Sequence, residues 1–122
     1  MKTNYKTIIG VVIVAIVILV FFANNSKEPG KYDAFATCLT ESGAKMYGAY
    51  WCPHCNEQKE MFGKSVKKIK YIECSLPNRG GQTQFCSQEG IRAYPTWEFA
   101  DGNKMEGKFS FEQLSEKTGC AL

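Results

Sequence analysis

One uncharged stretch divides the chain into two parts of different character. Residues 8–23 (IIGVVIVAIVILVFFA) contain no charged side chain. At about 1.5 Å per helical residue this run spans roughly 24 Å, a little less than the ~30 Å hydrocarbon core of a bilayer, and starting the helix at Tyr5 supplies the missing length. The sequence therefore predicts one N-terminal transmembrane helix, with residues 1–7 as a short cytoplasmic N-terminus.

A cleaved secretory signal is the alternative, since Lys2 and Lys6 place positive charge ahead of the apolar run. The run exceeds the usual apolar region of a signal, and it ends in Phe21-Phe22-Ala23 without a small-x-small cleavage site. These features favour a retained anchor, and a buried core helix is the third and weakest reading. The anchor and the signal both carry residues 31–122 out of the cytoplasm.

The polar residues 24–30 (NNSKEPG) are typical of a short linker to a domain at residues 31–122. That domain has 12 Lys and Arg against 11 Asp and Glu, so a nucleic-acid-binding surface is not expected. A domain of this size buries only about 60% of its unfolded surface and is marginally stable without help. The chain's six cysteines indicate that disulfides supply that help, in the periplasm or at the cell exterior.

Helix-forming and strand-forming segments alternate after the linker. The predicted helices cover residues 32–41, 56–62, 82–88 and 110–117, and the predicted strands cover residues 44–50, 70–74, 96–99 and 104–106. A loop is predicted at residues 76–81, a hairpin turn at residues 101–103, and a capping box at Ser110 and Gln113. This order predicts a compact α/β fold in which helices flank a small mixed β-sheet.

Cys52-Pro53-His54-Cys55 stands between a predicted strand and a predicted helix. Cys52 falls at the helix N-terminus, where unpaired backbone N–H groups and the helix dipole favour a thiolate. Pro53 suits the first turn, and His54 can add positive charge or a hydrogen bond beside the sulfur. Cys55, one turn later, can resolve a mixed disulfide. The motif predicts a redox-active Cys52–Cys55 disulfide, with Cys52 exposed to the thiols of substrate proteins and no other cofactor.

Two other interpretations of the motif are a structural zinc site and a purely structural cysteine pair. Zinc requires a second pair at knuckle spacing, and Cys74 and Cys86, 12 residues apart, do not form one. Redox chemistry without a metal is therefore favoured. His54 alone would be weak support, because a lone exposed histidine is usually only a polar surface residue.

Residues 50–55 (YWCPHC) before a helix, followed by residues 90–96 (GIRAYPT) before a strand, resemble the thioredoxin superfamily over nearly all of residues 31–122. The resemblance implies that Pro95 is cis and faces the redox disulfide. It also implies that Tyr94 contacts the substrate. Trp51, an aromatic residue expected in the core or at the rim of the site, is a second candidate for substrate binding. An ordinary trans proline at the start of a strand is the alternative for Pro95.

The chain is most similar to thioredoxin-like domains that are fused to, or work beside, bacterial and plant vitamin K epoxide reductase homologues. The residues that carry this likeness are 46–55 (MYGAYWCPHC), 71–74 (YIEC) and 91–99 (IRAYPTWEF), with Cys38, Cys86 and Cys120. In those systems a membrane enzyme passes electrons to quinone and keeps its thioredoxin-like partner oxidised. The resemblance implies such a partner here, since one membrane segment cannot form the quinone enzyme itself. The tetrapeptide is also that of DsbA-like periplasmic oxidants.

One position departs from the family pattern. Thioredoxin and DsbA carry a buried acid six residues before the first active-site cysteine, and Met46 occupies that position here. The proton acceptor for Cys55 is therefore unassigned, with Glu98 and Glu73 as candidates.

The other four cysteines allow three pairings, and the sequence alone does not choose among them. We favour Cys74–Cys86, which would fasten the loop after the second strand to the next helix, and Cys38–Cys120, which would join the first and last helices of the domain. Loop-closure entropy gives roughly 3 and over 4 kcal/mol for these bridges. A second redox pair is the competing interpretation.

These features together predict a membrane-anchored thiol:disulfide oxidoreductase on the periplasmic or extracellular side. Pro-His between the cysteines favours a disulfide donor. An anchored reductant or isomerase, as in cytochrome c maturation, is the first alternative. A non-catalytic metal-binding or adaptor module is the second.

Overall fold

The computed structural model describes residues 4–25 and 28–122. Lys2 lies outside them, as does part of the predicted linker. Helix α1, Tyr5–Asn25, extends beyond the predicted span at both ends. Its residues Tyr5–Asn24 have a mean hydropathy of 2.9 and none is buried. Within the described residues α1 is the one helix long and apolar enough to cross a membrane, and whether it is a retained anchor or a signal stays a prediction.

The remaining elements follow the predicted order. Helices α2–α5 span Asp33–Glu41, Pro53–Phe62, Gln84–Gln88 and Phe111–Thr118. Strands β1–β4 span Lys45–Gly48, Tyr71–Glu73, Thr96–Glu98 and Lys104–Glu106. The α/β fold class is confirmed, although three of the strands and α4 are shorter than predicted.

Two short 3₁₀ helices, Gly63–Lys68 and Pro77–Arg79, were not expected from the sequence. The first follows α3 directly, where Gly63 has a φ of 53° that ends the α-helix. The second occupies the predicted loop at residues 76–81. Both are local turns that carry the chain on to its next element.

The four strands form one mixed sheet in the order β2-β1-β3-β4. β1 pairs in parallel with β2, whereas the pairs β1–β3 and β3–β4 are antiparallel. A parallel neighbour requires a crossover connection, which α3 and the 3₁₀ helix after it provide. The end of the interior strand β1 therefore leads directly to Cys52.

Both faces of the sheet are covered. Met46 and Tyr47 are neighbours in β1 and point to opposite faces. Met46 belongs to the larger buried cluster, together with Phe35, Leu39, Phe62, Trp97 and Leu114. Tyr47 belongs to a smaller cluster with Cys74, Cys86 and Ile91. Phe111 of α5 closes the larger cluster against Phe62, with ring centroids 4.7 Å apart.

Two disulfides connect different elements of the fold, across 82 and 12 residues of sequence. Cys38 of α2 is bonded to Cys120 after α5. Cys74, after β2, is bonded to Cys86 of α4. Of the three pairings that the sequence left open, the structure has this one. Cys52 and Cys55 are free thiols.

Candidate active site

Cys52 is the N-cap residue of α3. Its extended backbone (φ −79°, ψ 120°) and Pro53 at the first helical position begin the helix. The Cys52 side chain accepts a hydrogen bond from the backbone N–H of Cys55, with an N···Sγ distance of 3.3 Å. The sulfur thus takes the place of the capping oxygen that serine or aspartate would supply, and a negative charge there meets the positive end of the helix.

The two thiols are buried to different depths. Cys52 is 5% exposed and Cys55 is 0% exposed. The sequence led us to expect an exposed Cys52, and the residue is instead almost fully buried. The capping geometry turns its sulfur over the helix N-terminus. Cys52 thus keeps a small exposed part, whereas Cys55 has none.

Tyr94 and Pro95 lie against this site. The Tyr94–Pro95 peptide bond is cis, and the Pro95 side chain is fully buried. The Cys52 thiol donates to the Tyr94 carbonyl oxygen at 3.6 Å. The fold thus brings together two motifs that are far apart in sequence, as the resemblance implied. A substrate contact at Tyr94 stays a prediction.

Trp51 forms one rim of the site and is 38% exposed. Its indole N–H donates to Ser75 Oγ at 2.7 Å, and its ring meets the Tyr94 ring edge to face at a centroid distance of 6.0 Å. Arg79 lies 5.8 Å from the Trp51 ring. These contacts fix the indole beside Cys52, where a bound polypeptide could contact it.

The His54 side chain contacts Glu57. Its side chain is 69% exposed, and Nδ1 lies 3.4 Å from Glu57 Oε2. Glu57 also accepts from Lys108 Nζ at 2.7 Å, and the hydrogen bonds from Lys108 and His54 lower the pKa of this carboxyl. Among the described residues, the hydrogen bonds of Cys52 Sγ involve Cys55 and Tyr94. A role for His54 in the reaction stays a prediction.

Cys55 lies below Cys52 in an environment that opposes ionisation. Burial, followed by the hydrogen bond with Cys52, raises the pKa of the Cys55 thiol to about 12. Met46, at the position where the family carries its acid, is buried and cannot titrate. Cys55 therefore keeps its proton at neutral pH unless another group takes it.

The two acids considered from the sequence have different surroundings. Glu98 accepts a hydrogen bond from the Tyr47 hydroxyl at 2.7 Å and pairs with Lys45 at 3.0 Å. Glu73 accepts a hydrogen bond from the Tyr71 hydroxyl at 2.8 Å. Tyr71 was missed in the sequence, although it and Glu73 stand two apart in a strand and so face the same way.

Comparison with known proteins supports the same chemistry. No family model matches the chain. Among the described residues there is no group of three or more His, Cys, Asp or Glu side chains placed to hold a metal ion. The chain is 41% identical to Thiol-disulfide oxidoreductase LTO1 of Arabidopsis thaliana over 93 residues, which are 73% of this chain and 24% of that protein. It is 27% identical to Protein disulfide-isomerase A5 of Mus musculus over 73 residues, which are 56% of this chain and 14% of that protein.

The chain thus spans a quarter or less of the length of these two curated relatives. Both relatives carry names that describe thiol–disulfide chemistry. Together with the mixed sheet and the capping Cys52, the two similarities support a place for the chain in the thioredoxin-like superfamily.

Proposed function

We propose that the chain is a thiol:disulfide oxidoreductase that is held at a membrane by α1 and donates disulfides to secreted proteins on the extracytoplasmic side. One observation carries the proposal. Cys52 Sγ caps α3 beside the Tyr94 carbonyl, and the second thiol, Cys55, is buried behind it. The similarity to LTO1, named as a thiol-disulfide oxidoreductase, supports the class of reaction.

The first step starts from the oxidised Cys52–Cys55 pair. A substrate thiolate attacks Cys52 Sγ and forms a mixed disulfide, while the Cys52–Cys55 bond breaks. The electron pair of that bond goes to the Cys55 sulfur, which takes a proton. Cys52 is the sulfur attacked because Cys55 is inaccessible.

The second step releases the product. A second thiolate of the substrate attacks the substrate sulfur in the mixed disulfide, and Cys52 leaves as a thiolate. The substrate has then lost two electrons and two protons, and both cysteines are reduced. The N-terminus of α3 stabilises the leaving Cys52 thiolate, which favours donation of the disulfide.

A quinone-linked membrane oxidase related to vitamin K epoxide reductase is the proposed source of fresh disulfide. The resemblance at residues 46–55 and 91–99 supports this partner. Tethering by α1 would hold the domain near the membrane, where such an enzyme could reach it.

An isomerase or reductant is the second candidate, and the similarity to Protein disulfide-isomerase A5 favours it. The reduction potential of the Cys52–Cys55 pair separates donors from reductants. The detergent-solubilised chain would be equilibrated in glutathione buffers, quenched in acid, alkylated, and its thiols counted by mass spectrometry. A value between about −120 and −180 mV supports a donor or isomerase, and a value at or below about −270 mV would overturn the donor proposal.

Serine variants test the assignment of the attacked sulfur. Cys52→Ser should lower the rate of disulfide donation to a reduced protein by at least about 10³-fold, because it removes the sulfur that the substrate thiolate attacks and with it the Cys52–Cys55 disulfide. Cys55→Ser is the matched control, since it keeps the Cys52 thiol. When it is incubated with a disulfide-bonded protein, it should accumulate mixed disulfides that Cys52→Ser cannot form. Full activity of Cys52→Ser would end the catalytic assignment.

A further inference from the structure

Cys55 has to gain or lose a proton each time its disulfide opens or closes. Its side chain is 0% exposed, so bulk water cannot carry that proton directly to the sulfur. Met46, at the usual acid position, has no exchangeable proton. A neighbouring group of the protein must therefore give a proton to Cys55 and take it back.

The Tyr71 hydroxyl is placed for this role by two features of the sheet. Tyr71 is the register partner of Met46 in the parallel β1–β2 pair. Its ring extends over Gly48, where an added Cβ would lie 2.9 Å from Cys55 Sγ and 3.2 Å from Tyr71 Oη. The sulfur and the phenol oxygen thus both border the space above Gly48, and any side chain at this position would collide with both.

The phenol is connected to solvent on its other side. Tyr71 Oη donates to Glu73 Oε2 at 2.8 Å. The other carboxylate oxygen of Glu73 accepts from the backbone N–H groups of Ser75 at 2.9 Å and Tyr50 at 3.2 Å. Glu73 is exposed. The three groups therefore form a path from a buried thiol, through a half-buried phenol, to a carboxylate in contact with water.

Lys59 of α3 fixes the ring of Tyr71. Its Nζ lies 3.5 Å from the centre of the Tyr71 ring, within the range of a cation–π interaction. The ionisable groups around Cys55 are thus Cys52 and Lys59 from α3, with Tyr71 and Glu73 from β2. Of these, only Tyr71 is joined by a hydrogen bond to the exposed carboxylate of Glu73.

We propose that Tyr71, backed by Glu73, relays the proton of Cys55. When a substrate thiolate opens the Cys52–Cys55 disulfide, the Cys55 thiolate takes the hydroxyl proton of Tyr71, directly or through one water. A proton from solvent, passed on by the Glu73 carboxylate, replaces it on Tyr71, so that Glu73 is left as it began. In reoxidation the same transfers run backwards, so that Cys55 loses its proton as its sulfur attacks.

The two transfers have to be coupled. Burial, then the hydrogen bond to Glu73, raises the pKa of Tyr71 above its ordinary value, so a free phenolate is not a stable intermediate. A phenol that gives up one proton as it gains another avoids the charged state. The relay deepens the proposed function and rests on it for its biological use.

Tyr71→Phe tests the relay with little change in shape, because it keeps the ring beneath Lys59 and removes only the hydroxyl. The oxidised chain in detergent would be reduced with dithiothreitol across pH 6 to 9. Samples would be quenched in acid, and their free thiols would be counted by mass spectrometry. We expect reduction to slow about 10- to 100-fold at neutral pH, the order of general acid–base catalysis by one group. The solvent deuterium isotope effect should also fall, and Glu73→Gln should give a smaller slowing.

A second measurement separates a relay from a structural role. Alkylation of Cys52 by iodoacetamide in the reduced chain needs no proton transfer at Cys55, so its rate should be unchanged in Tyr71→Phe. Tyr32→Phe, which removes a hydroxyl remote from the site, is the matched control and should match the unmodified chain in both assays. Equal slowing of reduction and alkylation in Tyr71→Phe would indicate a distorted site and overturn the relay.

Dithiothreitol reacts with the disulfide whether or not the chain acts on proteins, so the two proposals fail separately. An unchanged reduction rate and pH profile in Tyr71→Phe would overturn the relay and leave disulfide donation standing. A chain that exchanges with dithiothreitol but never with reduced proteins would overturn the proposed function alone.

Discussion

Helices α3 and α4 begin in the same way and carry cysteines of opposite behaviour. In α3 the N-cap Cys52 accepts from the backbone N–H of Cys55 at 3.3 Å. In α4 the N-cap Thr83 accepts from the backbone N–H of Cys86 at 3.3 Å. Cys55 and Cys86 are both 0% exposed, at the same position of their helices. Cys55 faces a second thiol in its own cap, whereas Cys86 faces a threonine and bonds to Cys74 instead.

The comparison teaches what separates a redox pair from a structural bridge in this fold. A Cys52–Cys55 bond lies within one helical turn, so it can open and close without separating two elements. The Cys74–Cys86 bond joins the end of β2 to α4, which has only five residues. Opening that bond would remove the covalent link between β2 and α4.

The largest expected difference is in the reactivity of the two thiols in the reduced chain. Burial and the hydrogen bond with Cys52 raise the pKa of the Cys55 thiol to about 12. At pH 9 its thiolate fraction is then on the order of 10³-fold below that of a thiol with an ordinary pKa, and only thiolates are alkylated. Iodoacetamide followed by peptide mass spectrometry should label Cys52 and spare Cys55, and both should react in 6 M guanidinium.

The same pKa shift predicts how pH changes stability. A thiol whose pKa is raised in the folded state adds stability that is fully present below its unfolded pKa and is lost as the pH rises towards the folded value. The reduced chain should therefore lose free energy of unfolding as the pH rises from about 9 towards 12, relative to the oxidised chain, in which Cys55 does not titrate. In the iodoacetamide experiment, equal labelling of Cys52 and Cys55 in the folded chain at pH 9 would contradict the burial of Cys55.

The next effect separates stability from exchange. Cys74→Ala/Cys86→Ala should lower the free energy of unfolding by about 3 kcal/mol, because the unfolded chain regains the entropy of a short loop. Exchange at Cys52–Cys55, measured per folded molecule, should persist. Urea unfolding and dithiothreitol reduction of the same preparation measure the two quantities. Cys38→Ala/Cys120→Ala is the control for loop length, because this bridge closes a longer loop. It should lower the free energy of unfolding by about 4.5 kcal/mol.

An abolished exchange reaction in a stably folded Cys74→Ala/Cys86→Ala chain would break the comparison. It would show that electrons pass through the second pair, as the competing interpretation of these cysteines requires.

Much of this arrangement could be predicted from local patterns. The order of helices and strands follows from hydrophobic spacing and from caps such as the capping box of Ser110 and Gln113, which the structure contains. The spacing of Cys52 and Cys55 places both thiols at one helix end whatever the rest of the chain does. Such features depend on residues only a few positions apart.

The parts that were missed depend on contacts between distant segments. Gln58 has the sequence pattern of an exposed helical residue, yet it is fully buried. Its burial is determined by Phe109, 51 residues later, whose backbone N–H and C=O both bond to the glutamine side chain at 2.7 and 3.0 Å. Tyr71 was missed for the same reason, since its position beside the site depends on Gly48 and Cys55 in other elements.

The smallest expected effect concerns how the two helices are held. A disulfide fastens α4, whereas α3 is held by Gln58, whose Oε1 also accepts from the Trp97 indole at 3.3 Å. Gln58→Met keeps the size of the side chain but leaves the backbone groups of Phe109 buried and unpaired, at a cost of about 1–3 kcal/mol. Gln88→Met, on the exposed surface of α4, is the control and should change stability by less than about 0.5 kcal/mol. If urea unfolding gave the same free energy for both variants, the amide of Gln58 would not be what holds α3, and the packing of Phe62 and its neighbours would have to do so alone.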